Sequence, residues 1–168
     1  MPEFSLGSVE VSLSPSERFA EFLQSRGRRL TQQKQSLLET IFRHHEHFDA
    51  DDLMEELREV AKASKAKTPS RPTVYRMLNE LVEAGLLRKM NLKGRAVYEH
   101  DYGYPQHDHL HCEKCDKLIE FQSDALKEIL QAVAEKYQFR VTGHRLIITG
   151  VCDACSKVRR RKRPLDLI

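Results

Sequence analysis

Several features that would classify a chain quickly are missing. No stretch approaches the ~20 consecutive apolar residues of a membrane-spanning helix, and the N-terminus has no basic segment followed by an apolar secretion signal. The phosphate-binding P-loop, the dinucleotide-binding glycine motif, the serine-hydrolase elbow and the helical zinc-protease motif are all absent, which excludes the enzyme classes built on them. Cysteine is scarce, with four in 168 residues. Without a secretion signal the expected location is cytoplasmic, where disulfides are rare, so the four thiols read as metal ligands or redox groups.

Net charge is small as well, 28 basic against 25 acidic residues, or +3. Its distribution is uneven. Residues 26–34 carry Arg26, Arg28, Arg29 and Lys34 with no acid, and 60–79 carry Lys62, Lys65, Lys67, Arg71 and Arg76 with none. Between them, 43–59 holds seven acids against two arginines. Residues 157–163 contain six Lys or Arg, without which the total would be −3. Basic charge sorted by segment is what a phosphate-binding surface requires.

Hydrophobic spacing sets the organisation. Residues 1–16 read as a loose leader, with Ser14, Pro15 and Glu17 opening a helix that carries Phe19, Phe22 and Leu23 to a stop at Gly27. Thr31 caps a second helix with Leu37, Leu38, Ile41 and Phe42 on one face. A third begins near Asp49 and carries Leu53, Leu57 and Val60, followed by a polar, basic loop over 61–69. The fourth runs from Ser70 to Gly85 and buries Val74, Leu78, Leu81 and Val82, leaving Thr73, Tyr75, Arg76 and Asn79 on other faces. Two strand-like runs, 86–90 and 96–99, are joined by residues 91–94 with a glycine turn. Helices followed by a two-stranded wing give a winged helix-turn-helix over 17–100. Residues 101–106 read as a hinge. A small α/β unit over 107–156 follows, with strands expected at 109–111, 117–121, 139–142 and 145–151 and a helix capped by Ser123. Residues 157–168 form a basic tail expected to be disordered. The fold class is α+β. A unit this small needs a metal, a disulfide or a partner subunit.

Cys112 and Cys115 form one Cys-x-x-Cys knuckle, and Cys152 and Cys155 form another. Two such knuckles complete a tetrahedral all-thiolate site with no open position, which describes structural zinc. His107 and His109 flank Asp108 just before the first knuckle, and alternate residues of an extended strand point the same way. With Glu99, Glu120, His47 and His144 elsewhere in the chain, nitrogen and oxygen donors suit Fe(II), Mn(II), Zn(II) or Ni(II).

Taken together, the sequence resembles the ferric uptake regulator family over about residues 17–158. The resemblance is carried by Arg71, Pro72, Thr73, Val74, Tyr75 and Arg76 with Leu78 and Asn79, by Ala84 and Gly85, and by Val97, Tyr98 and Glu99. It continues in His107, Asp108, His109, Leu110, His111, Cys112 and Cys115, in Ile119, Glu120 and Phe121, and in Gly143 and His144 before the second knuckle. It implies a homodimeric, metal-responsive repressor with an N-terminal winged helix, a C-terminal dimerisation domain and a structural Zn2+ on the four cysteines. A regulatory divalent metal is implied at His47, Glu99, His107, His109 and Glu120, Fe2+ first, with Zn2+ or Mn2+ able to substitute. Peroxide-, zinc-, manganese- or nickel-sensing members are the alternatives. A further family site keeps Asp108 and His144 here, but Gln106 and Lys127 stand at its other positions, with Glu128 one residue out of register.

The implied partner is double-stranded DNA, an A·T-rich palindromic operator, with no membrane and no small organic substrate. Tyr75 would read base edges in the major groove, Thr73 and Arg76 would hold phosphates, Arg29 would reach a minor groove, and Lys34 stands where a phosphate-contacting arginine is usual. From another class, a metalloenzyme using the His107/His109 site would need an acid–base motif that the surrounding sequence lacks. A zinc-containing nucleic-acid binder that senses nothing is the third reading.

Overall fold

A computed structural model describes residues 9–43, 47–64 and 67–158. Lys65, residues 1–8 of the leader and 159–168 of the basic tail lie outside the described residues. The chain divides into two compact units, meeting in sequence between Pro105 and Gln106.

Four helices and a three-stranded sheet make the N-terminal unit. Helix α1 (Pro15–Ser25) opens on a reciprocal cap: the Ser14 hydroxyl accepts from the Glu17 N–H at 3.2 Å, and the Glu17 carboxylate accepts from the Ser14 N–H at 2.8 Å. Helix α2 (Gln32–Ile41) starts at Thr31, whose hydroxyl accepts from the Lys34 N–H. Helix α3 (Ala50–Ser64) follows strand β1 (Phe48–Asp49), and helix α4 (Arg71–Glu83) ends before Gly85, where φ is +69°. Strands β2 (Leu87–Leu92) and β3 (Arg95–His100) form the wing, and β1 pairs with the outer side of β3, giving the order β1-β3-β2. Phe19, Leu23, Ile41, Leu53, Val74, Leu78, Leu81, Leu87 and Tyr98 fill the core, so the stripe expected on α4 does face inward.

Several local outcomes differ from expectation. Helix α3 continues through Ser64 into the segment expected as loop, because residues 61–64 hold neither Gly nor Pro and Ala61 is buried. The hairpin turn narrows to Lys93 and Gly94, both with positive φ, since Leu92 already pairs with Arg95. Part of the leader is held: the Val9 N–H donates to the Gly103 carbonyl at 2.9 Å, and the Tyr102 hydroxyl donates to the Leu13 carbonyl at 3.0 Å.

The C-terminal unit is built on strand β4 (Asp108–Cys112), flanked by β5 (Leu118–Phe121) and β6 (Ile147–Gly150). Strand β5 is antiparallel to β4 and β6 is parallel to it. A parallel neighbour needs a crossover, and helix α5 (Asp124–Lys136), capped by Ser123, provides one. Residues 139–142, expected as a strand, are in none: the Phe139 N–H donates to the Ala134 carbonyl at 2.8 Å, and the segment forms part of the return path to β6. A short helix, α6 (Asp153–Val158), follows Cys152. Helix α5 buries none of its residues, and Ile129, Val133, Tyr137 and Phe139 stand exposed, Tyr137 by 70%. Among the described residues no helix is long and apolar enough to cross a membrane.

Asp49 ties α3 to the wing. Its Oδ1 accepts from the N–H groups of Asp51 at 2.8 Å and Asp52 at 2.9 Å, and its Oδ2 pairs with Arg95 of β3. Burial would raise its pKa, yet these hydrogen bonds and the Arg95 charge hold the carboxyl below its ordinary value. A depressed folded-state pKa stabilises above the unfolded-state value, about 3.9, and the contribution disappears as pH falls through the folded-state value. Asp49→Ala should therefore cost about 1–2 kcal/mol at pH 7, the usual loss for an N-terminal cap. The gap from wild type in urea-unfolding free energy should close as the pH falls below about 3.9.

Candidate functional site

Parallel pairing of β4 with β6 brings the two knuckles together. Cys112 ends β4 in register with Gly150, the last residue of β6, so Cys152 emerges at the same end of the sheet two residues later. The first knuckle forms the β4–β5 turn, with Asp116 at φ +57° closing it. The ligand atoms of Cys112, Cys115, Cys152 and Cys155 all lie within 4.8 Å of one another, and Cys115 Sγ and Cys152 Sγ are 3.7 Å apart. Four sulfurs about 2.3 Å from a tetrahedral ion stand about 3.8 Å from each other, so the spacing fits zinc.

The electrostatics favour an ion as well. Backbone N–H groups of Cys152, Cys115 and Lys114 lower the Cys112 pKa to about 6. Bonds to the Cys115 and Cys152 sulfurs push Cys155 up to about 12, because four clustered thiols cannot all ionise without a cation. His111, buried beside Cys112, bonds Asp116 at 3.2 Å and braces the knuckle from behind. Sequence spacing did not reveal this role.

The other end of β4 carries a second cluster. His109 is in register with Glu120 on β5, and His107 lies two residues before His109 on the same side. The imidazole rings sit 4.9 Å apart, His107 Nε2 is 4.0 Å from Glu120 Oε1, and the ligand atoms of all three residues lie within 4.8 Å. Both histidines are buried. This is a nitrogen and oxygen set, three donors in a pocket too polar to be simple core. Asp108 faces away, accepting from the Leu146 N–H at 3.1 Å and bonding His144 Nε2 at 3.0 Å. The Lys127 ammonium is bonded to Asp124, and the Gln106 amide donates to the His144 carbonyl.

In the N-terminal unit, His47 Nε2 lies 2.9 Å from Glu99 Oε2, near the end of the wing. Glu99 is nearly inaccessible, and Arg88, its cross-strand partner on β2, approaches its other oxygen at 3.6 Å and also bonds Asp101. Arg88 was not anticipated. Its signal would have been the cross-strand register, which a sequence shows only once the turn is placed.

On α4, Tyr75 is 41% exposed, Arg76 is exposed, and the Thr73 hydroxyl bonds that of Ser70 at 2.9 Å. Ser70 makes no side-chain cap; its carbonyl accepts from the N–H groups of Thr73 at 2.9 Å and Val74 at 3.1 Å, and Pro72 has no N–H to offer. Arg29 is exposed in the turn between α1 and α2. Lys34, on α2, is bonded instead to Glu80 of α4 at 2.5 Å.

Comparison with known proteins adds to this geometry. The profile of the ferric uptake regulator family matches residues 25–149. The chain is 36% identical over 139 residues to the peroxide operon regulator of Bacillus subtilis, covering 82% of this chain and 90% of that protein. It is 31% identical over 153 residues to the ferric uptake regulation protein of Neisseria gonorrhoeae, covering 86% and 99%. Among solved structures, the Vibrio cholerae ferric uptake regulator superposes with a TM-score of 0.64 at 28% identity, covering 79% of this chain and 98% of that one.

The four-thiolate cluster carries a direct prediction. The purified chain should contain one zinc per protomer, released by a thiol-modifying reagent with colorimetric detection. Cys112→Ser should lose that zinc and melt at a lower temperature, because closed zinc sites contribute folding free energy.

Proposed function

The chain belongs to the ferric uptake regulator family of transcription regulators, and on that premise we propose that it is a cytoplasmic, homodimeric, metal-dependent DNA-binding repressor of metal-homeostasis genes, iron first among them. Relatives in this family are regulators and not enzymes, which removes the metalloenzyme reading of His107 and His109. The observation that carries the proposal is the grouping of the buried His107 and His109 with the half-buried Glu120. Three converging nitrogen and oxygen donors suit the binding of a divalent ion.

Each unit holds an incomplete ligand set, three donors in the C-terminal unit and the His47–Glu99 pair in the N-terminal one. We assign all five to one regulatory ion. When bound, that ion supplies the charge and directional bonding that let donors from two units serve a single centre. The protein's part is to keep both imidazoles buried and oriented, and to present two carboxylates beside them. Zinc on Cys112, Cys115, Cys152 and Cys155 is structural in this reading. Asp108 and His144 act as a polar clasp between β4 and the segment before β6, since two donors beside Gln106 and Lys127 do not complete a further site.

The exposed apolar side chains of α5 and Phe139 fit a second copy of the chain, which would cover them. Two copies then present two α4 helices, and a palindromic operator demands a fixed distance between them along the groove. Tyr75 supplies apolar contact to thymine methyls, Thr73 and Arg76 hold phosphates at the uncapped start of α4, and Arg29 reaches the neighbouring minor groove. Lys34 borders the same surface but shares its charge with Glu80. Iron is the first choice of metal because Glu120 and the two histidines form a mixed donor set without a spare cysteine.

Titration of Fe(II), Mn(II), Zn(II) and Ni(II) against a labelled A·T-rich palindromic duplex tests the scheme. One of these ions should raise affinity at least tenfold, equivalent to about 1.4 kcal/mol of coupling. His107→Ala should abolish that increase and leave the dimer and its zinc unchanged. DNA affinity indifferent to every added ion, with the four-cysteine zinc in place, would remove the sensing role.

A further inference from the structure

Helix α4 divides into two halves of different character. Thr73, Arg76, Glu80 and Glu83 recur at intervals of three and four residues and so lie along one stripe of the helix. The first two belong to the half proposed above to meet DNA. The last two are acids, and each is bonded to cations of the 26–34 run. Arg26 pairs with Glu83, and both Arg28 and Lys34 reach Glu80 at 2.5 Å.

Glu80 is the unusual member. It is 7% exposed, on a helix whose other buried positions are Val74, Met77, Leu78 and Leu81. Its Oε1 takes Arg28, from the turn after α1, and its Oε2 takes Lys34, from α2. Burial by itself would raise its pKa, but the Lys34 and Arg28 bonds and charges outweigh that effect and hold the group below the ordinary carboxylate range. Glu80 is therefore an ion at neutral pH. The two cations keep 42% and 26% of their side chains exposed, so they border the surface while their charge is directed inward.

An ionised acid on the stripe that begins with Arg76 opposes phosphate binding, and its two partners are removed from the pool of cations that could favour it. We propose that Glu80 is a positioning and specificity-determining residue of the DNA-binding unit, anchoring α4 to α2 and to the turn after α1 while holding Arg28 and Lys34 back from the phosphate backbone. This inference rests on the DNA-binding reading given above. Its consequence is low affinity for DNA of unrelated sequence, which leaves binding to depend on base contacts and on the regulatory state. Sequence-independent affinity comes almost wholly from cations that reach phosphates.

The test is the salt dependence of binding by the full chain to a duplex of unrelated sequence, without regulatory metal, over about 50–200 mM salt. Glu80→Gln keeps the size of the side chain and removes its charge. It should bind such DNA several-fold more tightly and steepen the slope of log affinity against log salt by about 1–2, each recruited cation adding about 0.9. Lys34→Gln alone should leave the slope unchanged. In the Glu80→Gln background the same substitution should flatten it by about 0.9. A merely structural Glu80 would lower the melting temperature and leave every slope alone, and that result overturns the proposal.

If Glu80→Gln fails to fold, Lys34→Gln and Arg28→Gln in the native chain still decide the matter. Unchanged slopes support the proposal, and flattening by about 0.9 in either overturns it. Absence of any duplex binding by the wild-type chain, with or without metal, would remove the DNA-binding reading and this inference together. Wild-type binding with an unaltered Glu80→Gln slope removes the inference alone.

Discussion

Because β6 runs parallel to β4, Cys112 and Cys152 leave the sheet at the same end, and the remaining chemistry of the C-terminal unit is arranged around that fact. A hairpin alone could have placed only one knuckle there. The parallel return requires a crossover, which is why 36 residues, α5 among them, separate Cys115 from Cys152. The crossover helix in turn buries none of its residues and leaves Ile129 and Val133 exposed, with Tyr137 just beyond its end. One register thus accounts for the thiolate cluster at one end of β4, for the exposed apolar face of α5, and for the second cluster at the opposite end of the strand. There His107, His109 and Glu120 gather on one side of the sheet, and Asp108 with His144 on the other.

The N-terminal unit depends on a different economy of charge. Three acids in it have fixed partners. Asp49 caps α3 and holds Arg95 of the wing, Glu80 holds α4 to α2, and Glu99 lies between His47 and Arg88. Arg29 and Arg76 remain exposed, and in the proposed function they belong to the surface that meets phosphate. A net charge of +3 conceals this sorting, since pairing and not counting decides which cations are available.

Much of this was legible in the sequence. Caps at Ser14, Thr31 and Ser123, the stripe of α4, the wing and the two knuckles all rest on local rules that hold whatever the tertiary context. The parts that were not legible are those settled by neighbours. Residues 139–142 have the alternation of a strand, but they join neither strand flanking β4 and run instead as the return path to β6. Ala61 extends α3 because it is buried, which composition does not reveal. Glu80 stands out by no local sequence signal, and only the approach of α2 and the turn after α1 shows it as a buried ion with two partners. Within the candidate metal centre, spacing identified His107 and His109, but their alignment with Glu120 required the register of β4 on β5.

The ligands proposed for the regulatory ion already bond protein groups. His47 is bonded to Glu99, and Glu99 also lies near Arg88. An ion taking these donors must break the His47–Glu99 bond, and a hydrogen bond to a charged group is worth about 1.5–3 kcal/mol. That competition lowers apparent affinity by about one to two powers of ten relative to a site with idle ligands. For a storage protein such a loss would be a defect. In a sensor it places the response above the concentration at which scarce metal must remain available to other proteins. It also leaves the metal-free pair satisfied, so the unit need not unfold when the ion departs. The cysteine cluster shows the opposite design: its thiols crowd one another with Cys155 pushed up to about 12, and only a cation resolves that crowding. In the proposed scheme the two sites are thereby tuned in opposite senses, one to keep its metal and the other to release it.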